Sequence, residues 1–164
     1  MPGVETAQAL LINALQDLHD AERAMAERLP AIADEASDTT LRELLDEDAI
    51  RSASHQRKVA TLLERRDAEV EGAPNIWLRA ILDDAARDIE TVEKGALLDI
   101  ALIGAIRKGK QAERVSYETA IALAEALGGE DAPTLEVIRD EEAANDAALM
   151  ALLVELTDVE MEDA

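Results

Sequence analysis

Four acidic residues interrupt the apolar stripes of long helical segments, with one acid in each segment. They are Glu22, Asp48, Glu113 and Glu142. Around each of them, aliphatic residues recur at spacings of three and four, which is typical of a helix with one buried face. Because each acid falls within such a stripe, we expect the four carboxylates to meet inside a helical bundle.

Buried carboxylates are costly unless their charge is neutralised, and three kinds of chemistry can do this. A pair of metal ions such as iron or manganese is the first, as in carboxylate-bridged helical bundles. Buried arginine, lysine or histidine partners are the second, and protonation of some of the acids is the third. Any one acid could instead lie at a stripe edge and reach water. Four acids in matched positions favour a shared interior site.

The elements that must position these acids are long helices, separated by short segments of residues that are typical of turns. The predicted helices span about 5–36, 41–66, 76–90, 96–127 and 133–156. Asp38 or Thr39 is a suitable cap for the second helix, and Pro74 with Asn75 suits the start of the third. Gly128 and Gly129 end the fourth helix, as glycines beyond a helix terminus commonly do. No segment has the period-two alternation of a strand.

The two pairs of long helices resemble each other in sequence. Ala21-Glu22-Arg23 matches Ala112-Glu113-Arg114, and segment 41–49 resembles segment 135–143. Chance similarity between alanine- and glutamate-rich helices is the alternative explanation. Two helical hairpins joined by a long crossover predict an all-α, ferritin-like four-helix bundle with a short extra helix in the crossover. We expect one such domain over 1–164, with a frayed acidic tail at 158–164.

Composition excludes several classes of function. The sequence has 16 basic and 37 acidic residues, which give a net charge of −21. Because such a charge repels phosphate backbones and no basic patch is visible, we expect no nucleic-acid partner. No signal peptide or apolar run of membrane-spanning length occurs, which predicts a soluble, cytoplasmic protein without membrane association. The acidic, lysine-poor composition suits a salt-rich, halophilic cytoplasm. It equally suits an ordinary acidic protein.

Several segments together resemble the YciE/YciF branch of the ferritin-like superfamily. They are Leu18 to Arg23, Thr39 to Ser54, Ala101 to Ile103 leading to Glu113 and Tyr117, and Asp140 to Asp146. The resemblance spans nearly the whole chain, including the short crossover helix. It implies a stress-associated bundle protein with a dinuclear metal site, a homodimeric assembly and no settled reaction.

This chain departs from the family pattern at the residues that matter for metal binding. Arg51 and Asn145 stand where a di-iron bundle would place histidines, and Lys110 replaces an acid in the third long helix. Because arginine stays charged and repels cations, we expect a degraded site in which Arg51 or Lys110 supplies the missing positive charge. The change Arg51→Ala is then predicted to cost about 3 kcal/mol of stability.

Two functions remain open on this reasoning. The first is a stress-associated bundle protein that acts without redox catalysis and is not an enzyme. The second is a protein with an intact di-iron or di-manganese centre that has oxidase, peroxidase or iron-handling activity. His55 is expected to be a hydrogen-bonded core residue, His19 to be solvated at a stripe edge, and Tyr117 to be a buried phenol.

A homodimer is the expected assembly. Bundle helices of this length often leave a second apolar face, and several apolar residues lie off the main stripes. These are Ile50, Ile76, Trp77, Leu97 and Ile100.

Overall fold

The computed structural model describes residues 3–163 and contains five α-helices within that range. They are α1 (Ala7–Glu35), α2 (Thr39–Glu64), α3 (Ile76–Thr91), α4 (Ala96–Ala126) and α5 (Ala132–Asp163). No strand occurs among the described residues. The predicted all-α, ferritin-like bundle with a short crossover helix is therefore confirmed, and the predicted helix bounds hold closely for α1 to α4.

Local chemistry accounts for the helix ends. The Asp38 side chain accepts a hydrogen bond from Leu41 N at 2.8 Å and so caps α2, while Asn75 caps α3 through Leu78 N at the same distance. Helix α4 ends at a turn in which Gly128 and Gly129 have φ angles of 115° and 79°. Residues that carry a Cβ rarely adopt such backbone angles, so glycine is the residue suited to this turn.

The C-terminal helix is longer than predicted. Helix α5 continues to Asp163, beyond the predicted end near Leu156. Fraying of the tail 158–164 concerns its motion and stays a prediction, and Ala164 lies outside the described residues. None of the helices in the described range is both long and apolar enough to cross a membrane.

Two helical hairpins form the bundle. Helices α1 and α2 pack along each other, as do α4 and α5, and the hairpins meet through α1 against α4 and α2 against α5. The crossover helix α3 packs on α4 and α1, using Leu78, Leu82 and Ala85. It therefore covers the groove between α1 and α4. Within residues 3–163, no helix covers the corresponding groove between α2 and α5.

Buried aspartates hold the loops against the bundle. Asp20 accepts hydrogen bonds from Asn75 N at 2.6 Å and from Arg79 Nη2 at 2.8 Å, which ties the crossover to α1. Asp99 accepts from Ser37 N at 2.9 Å and Asp38 N at 2.8 Å, which ties the α1–α2 turn to α4. Burial acts to raise the pKa of Asp20, but Arg79 and the Asn75 amide outweigh it and lower that pKa to about 2.

The core consists of two aliphatic clusters with a polar layer between them along the helices. One cluster includes Met25, Leu45 and Leu102, and the other includes Leu15, Leu62 and Leu135. The four acids lie between these two sets of positions on their helices. The fold thus brings one acid from each long helix to the middle of the bundle.

Candidate functional site

All four predicted acids are buried in the central layer. Glu22, Glu113 and Glu142 are 0% exposed, and Asp48 is 1% exposed. The 3.6-residue period of their helices places them inward, because each shares a face with a buried residue one turn away. The expectation that these residues lie inside the bundle agrees with the structure. Whether they ligate a metal stays a prediction.

Lys110 supplies a positive charge in the middle of these acids. Its Nζ lies 2.6 Å from Asp48 Oδ2, 2.8 Å from Glu142 Oε2 and 3.5 Å from Glu113 Oε2. The lysine is itself 0% exposed, so these ion pairs are closed to solvent. One ammonium group therefore bridges carboxylates from α2, α4 and α5.

His55 provides a second charge at the other side of Glu142. Its Nδ1 lies 3.2 Å from Glu22 Oε1 and 3.1 Å from Glu142 Oε1. Its Nε2 lies 2.6 Å from Oε2 of Glu141, whose side chain is 39% exposed. His55 is thus the hydrogen-bonded core histidine that the sequence predicted, and it also connects the buried layer to a half-buried acid.

Tyr117 completes the layer as a buried phenol, which was also expected. Its hydroxyl donates a hydrogen bond to Glu22 Oε1 at 2.6 Å. Burial raises the pKa of Tyr117 well above its usual value, and the nearby Glu22 acts in the same direction. The phenol is therefore a neutral donor.

The pKa of each acid reflects a balance between burial, which favours the protonated form, and nearby cations, which favour the charged form. Burial raises the pKa of Glu113 well above its usual value, with Lys110 opposing only in part. Burial also raises the pKa values of Glu22 and Asp48. Burial acts in the same way on Glu142, but Lys110 and His55 outweigh it and lower the pKa of Glu142 to about 2.

The two cations stay charged at neutral pH. Burial acts to lower the pKa of His55, but its contacts with Glu142 and Glu22 raise it to about 10. Burial likewise opposes the charge of Lys110, and the charges of Asp48 and Glu142 raise its pKa well above the usual value. Two cations thus face four acids, and Glu113, the acid with the strongly raised pKa, is best described as protonated. The layer approaches neutrality through internal cations and protons.

Of the two residues predicted to pair with the acids, Lys110 forms the ion pairs and Arg51 does not. It lies half-buried beside the groove between α2 and α5 and forms no ion pair within 4.0 Å of its nitrogens among the described residues. Lys110 makes the buried contacts instead, so the ion pair on which the predicted cost of about 3 kcal/mol for Arg51→Ala rested is not present within residues 3–163, and that cost stays a prediction.

Two further side chains differ from expectation or were missed. His19 is only 5% exposed and lies 3.3 Å from Gln56 Nε2, so the solvated position expected for it is wrong. Glu141 was not singled out because helix periodicity places it at a stripe edge. Its contact with His55 depends on how α2 and α5 are packed, which the stripe of one helix cannot show.

The donor set does not fit a pair of metal ions. One atom from each of Glu22, His55 and Glu142 lies within 4.8 Å of the others, which is a donor set for one ion at most. The Lys110 ammonium contacts Asp48 and Glu142, and a second ion would need the same two carboxylates as ligands. A permanent cation at that point opposes a second metal charge.

The fold and the polar layer define a ferritin-like helical bundle with a charged centre. The family model described as "Domain of unknown function (DUF892)" matches residues 6–162, and the chain belongs to that family. It is similar to Protein YciF of Escherichia coli strain K12, with 28% identity over 160 residues that cover 92% of each chain. The predicted YciE/YciF resemblance is confirmed.

Solved structures agree with this assignment. The chain is similar to the crystal structure of the E. coli stress protein YciF, with a TM-score of 0.89, 25% identity, and coverage of 94% of this chain and 98% of that one. It also shares the fold of YcfI from Rhodopseudomonas palustris, with a TM-score of 0.84 and 22% identity over 89% of this chain and 94% of that one.

Proposed function

We propose that this protein is a stress-associated bundle protein that acts through its folded form, without redox catalysis. The observation that carries this proposal is the Lys110 ammonium, which contacts Asp48 at 2.6 Å and Glu142 at 2.8 Å. The stress association rests on the similarity to the E. coli stress protein YciF. On this proposal, Glu22, Asp48, Glu113 and Glu142 are what remains of a metal site, and no catalytic residue is assigned.

The physical argument concerns what neutralises the acids. A dinuclear centre supplies at least four positive charges to a carboxylate cluster, whereas Lys110 and His55 supply two. The raised pKa values of Glu22, Asp48 and Glu113 lower the number of negative charges that need a partner. The bundle is thereby stable in the absence of metal ions, and it holds no pair of redox-active ions for oxidase chemistry.

A second candidate function is that of a metal-carboxylate protein with oxidase, peroxidase or iron-handling activity. The observation that favours it is the convergence of Glu22, His55 and Glu142, whose donor types suit iron or manganese. For such an ion to bind, His55 must lose the proton that its neighbouring carboxylates stabilise. The two candidates differ in whether metal is bound at all.

Metal analysis of protein purified without chelator distinguishes them. We expect elemental analysis to find far less than one iron or manganese ion per chain, and the melting temperature to be unchanged by added Mn²⁺ or by a chelator. The variant Lys110→His removes the ammonium and adds a ligand, so Mn²⁺ is expected to raise its melting temperature. Lys108→His, on the exposed face of α4, is the matched control.

A stoichiometric ion in the native protein, with a melting temperature that falls when a chelator removes it, would establish the metal-carboxylate function instead.

We further propose a cytoplasmic, single-domain homodimer without a nucleic-acid partner. Ile50 and Ile76 are 74% and 80% exposed, and Leu97 is 49% exposed, which leaves apolar surface for a second copy. Light scattering at micromolar concentration is expected to give twice the mass of one chain. A monomer mass under those conditions would contradict the dimer.

The net charge of −21 leads to a prediction about salt. If the protein works in a salt-rich cytoplasm, its melting temperature should rise clearly between low and molar potassium chloride, because screening reduces repulsion among surface carboxylates. Differential scanning calorimetry across this range measures the effect. A flat or falling melting temperature would point to an ordinary acidic protein.

A further inference from the structure

The groove between α2 and α5 contains a cavity of about 360 Å³ that opens to solvent. Its apolar wall consists of Leu44, Ala144 and Ala148, and its polar residues are Glu47, Arg51, Glu141 and Asn145. The volume lies within the range of roughly 300–1,000 Å³ that is common for small-molecule sites. The equivalent groove between α1 and α4 is covered by α3, so within residues 3–163 the α2–α5 groove is the open one of the two.

Several polar groups in this cavity have unused bonding capacity. Asn145 is only 5% exposed, and its Oδ1 has no hydrogen-bond partner among residues 3–163. Arg51 forms no ion pair there, although the molecule has more than twice as many acids as basic residues. Glu141 contacts His55 through one carboxylate oxygen, Oε2, which leaves Oε1 available. Because Asn145 Oδ1 is also closed to solvent, the groups that are free to meet a bound molecule are Arg51 and Glu141 Oε1.

We propose that this cavity binds a small zwitterion, namely a free α-amino acid with a short aliphatic side chain. Arg51 is the partner of the ligand's carboxylate, because a guanidinium group binds carboxylates through paired hydrogen bonds. The carboxylates of Glu47 and Glu141 are acceptors for the ligand's ammonium group. Leu44, Ala144 and Ala148 contact the aliphatic side chain.

Ligands that carry one charge fit this arrangement less well. A simple cation would meet the unpaired Arg51, and a simple anion would meet Glu47 and Glu141 in a strongly acidic molecule. A zwitterion satisfies both signs at once. This binding is separate from the proposed function, because it requires neither a metal ion nor its absence in the central layer.

The test is an NMR titration of the full ¹⁵N-labelled chain at constant ionic strength. Alanine and valine are added as probes, with acetate and methylamine as ligands that carry one charge each. We expect saturable shifts at amides of segments 44–51 and 141–148 with the amino acids. Acetate and methylamine should bind about tenfold more weakly or not at all, because each loses one charged contact.

Matched variants locate the binding. Arg51→Gln is expected to weaken amino-acid binding by about tenfold, whereas Arg57→Gln, on the exposed face of α2, should leave it unchanged. Glu47→Gln is an independent variant at an exposed position and should also weaken binding. The proposal is overturned if no amino acid shifts these amides, if acetate or methylamine binds equally well, or if Arg57→Gln has the same effect as Arg51→Gln.

Discussion

The variant Lys110→Met is expected to lower the free energy of unfolding by about 4 kcal/mol at pH 7. Methionine keeps most of the length and apolar volume of the lysine stem but removes the charge. Asp48 and Glu142 then lose an ammonium group at 2.6 and 2.8 Å in a layer without solvent exposure. Urea denaturation followed by circular dichroism measures the loss, which should be smaller at acidic pH, where the acids can take up protons.

Lys108→Met is the matched control for this experiment. Lys108 lies two residues away on α4, its side chain is 66% exposed, and its nearest acid is 3.8 Å distant, so the change should be nearly neutral. Adding Asp48→Asn to Lys110→Met should cost less than the sum of the single changes, because both charges of one pair are then absent. A loss below about 1 kcal/mol for Lys110→Met would show that the ammonium does not stabilise the layer.

The variant His55→Gln is expected to lower the free energy of unfolding by about 3 kcal/mol at pH 7. Glutamine keeps a hydrogen-bond donor but not the positive charge that faces Glu22 and Glu142. The pKa of His55 is raised to about 10, so its contribution is fully present below its ordinary value of 6.5 and is lost as pH rises through 10. The difference between native protein and variant should therefore shrink steadily from pH 7 to 10.

His19→Gln is the control for the pH dependence. Burial lowers the pKa of His19, so its contribution is lost only as pH falls below 6.5 and is constant above that value. Urea midpoints at several pH values should thus give a constant difference for His19→Gln between pH 7 and 10. A His55→Gln difference that is equally constant in this range would mean that His55 is neutral in the native protein.

Much of the fold could be predicted because its determinants are local. The side chains of Asp38 and Asn75 cap helices by themselves, and Gly128 and Gly129 suit backbone angles that other residues avoid. The inward placement of the four acids could also be predicted, since it depends only on the period of each helix.

The partners of those acids depend on packing between helices, which sequence periodicity does not determine. Arg51 and Lys110 each lie three residues from an acid, so either could have supplied the charge. Lys110 reaches across from α4 to Asp48 on α2, whereas Arg51 lies beside the groove. The contact between His55 and Glu141 likewise joins residues from different elements, as does the hydrogen bond from Asn75 N to Asp20. Because the partners lie far apart in the sequence, no local sequence pattern predicts these contacts.

The polar layer between the two aliphatic clusters has a consequence for helix alignment. A slide of one helix by a single turn, about 5.4 Å, would keep leucines against leucines over most of its length. It would also move an acid out of reach of Lys110 or His55 and into an aliphatic cluster, where an unpaired charge is costly. Aliphatic contacts tolerate such slippage, so the layer acts like a buried polar residue in a coiled coil and fixes the axial register of the four helices.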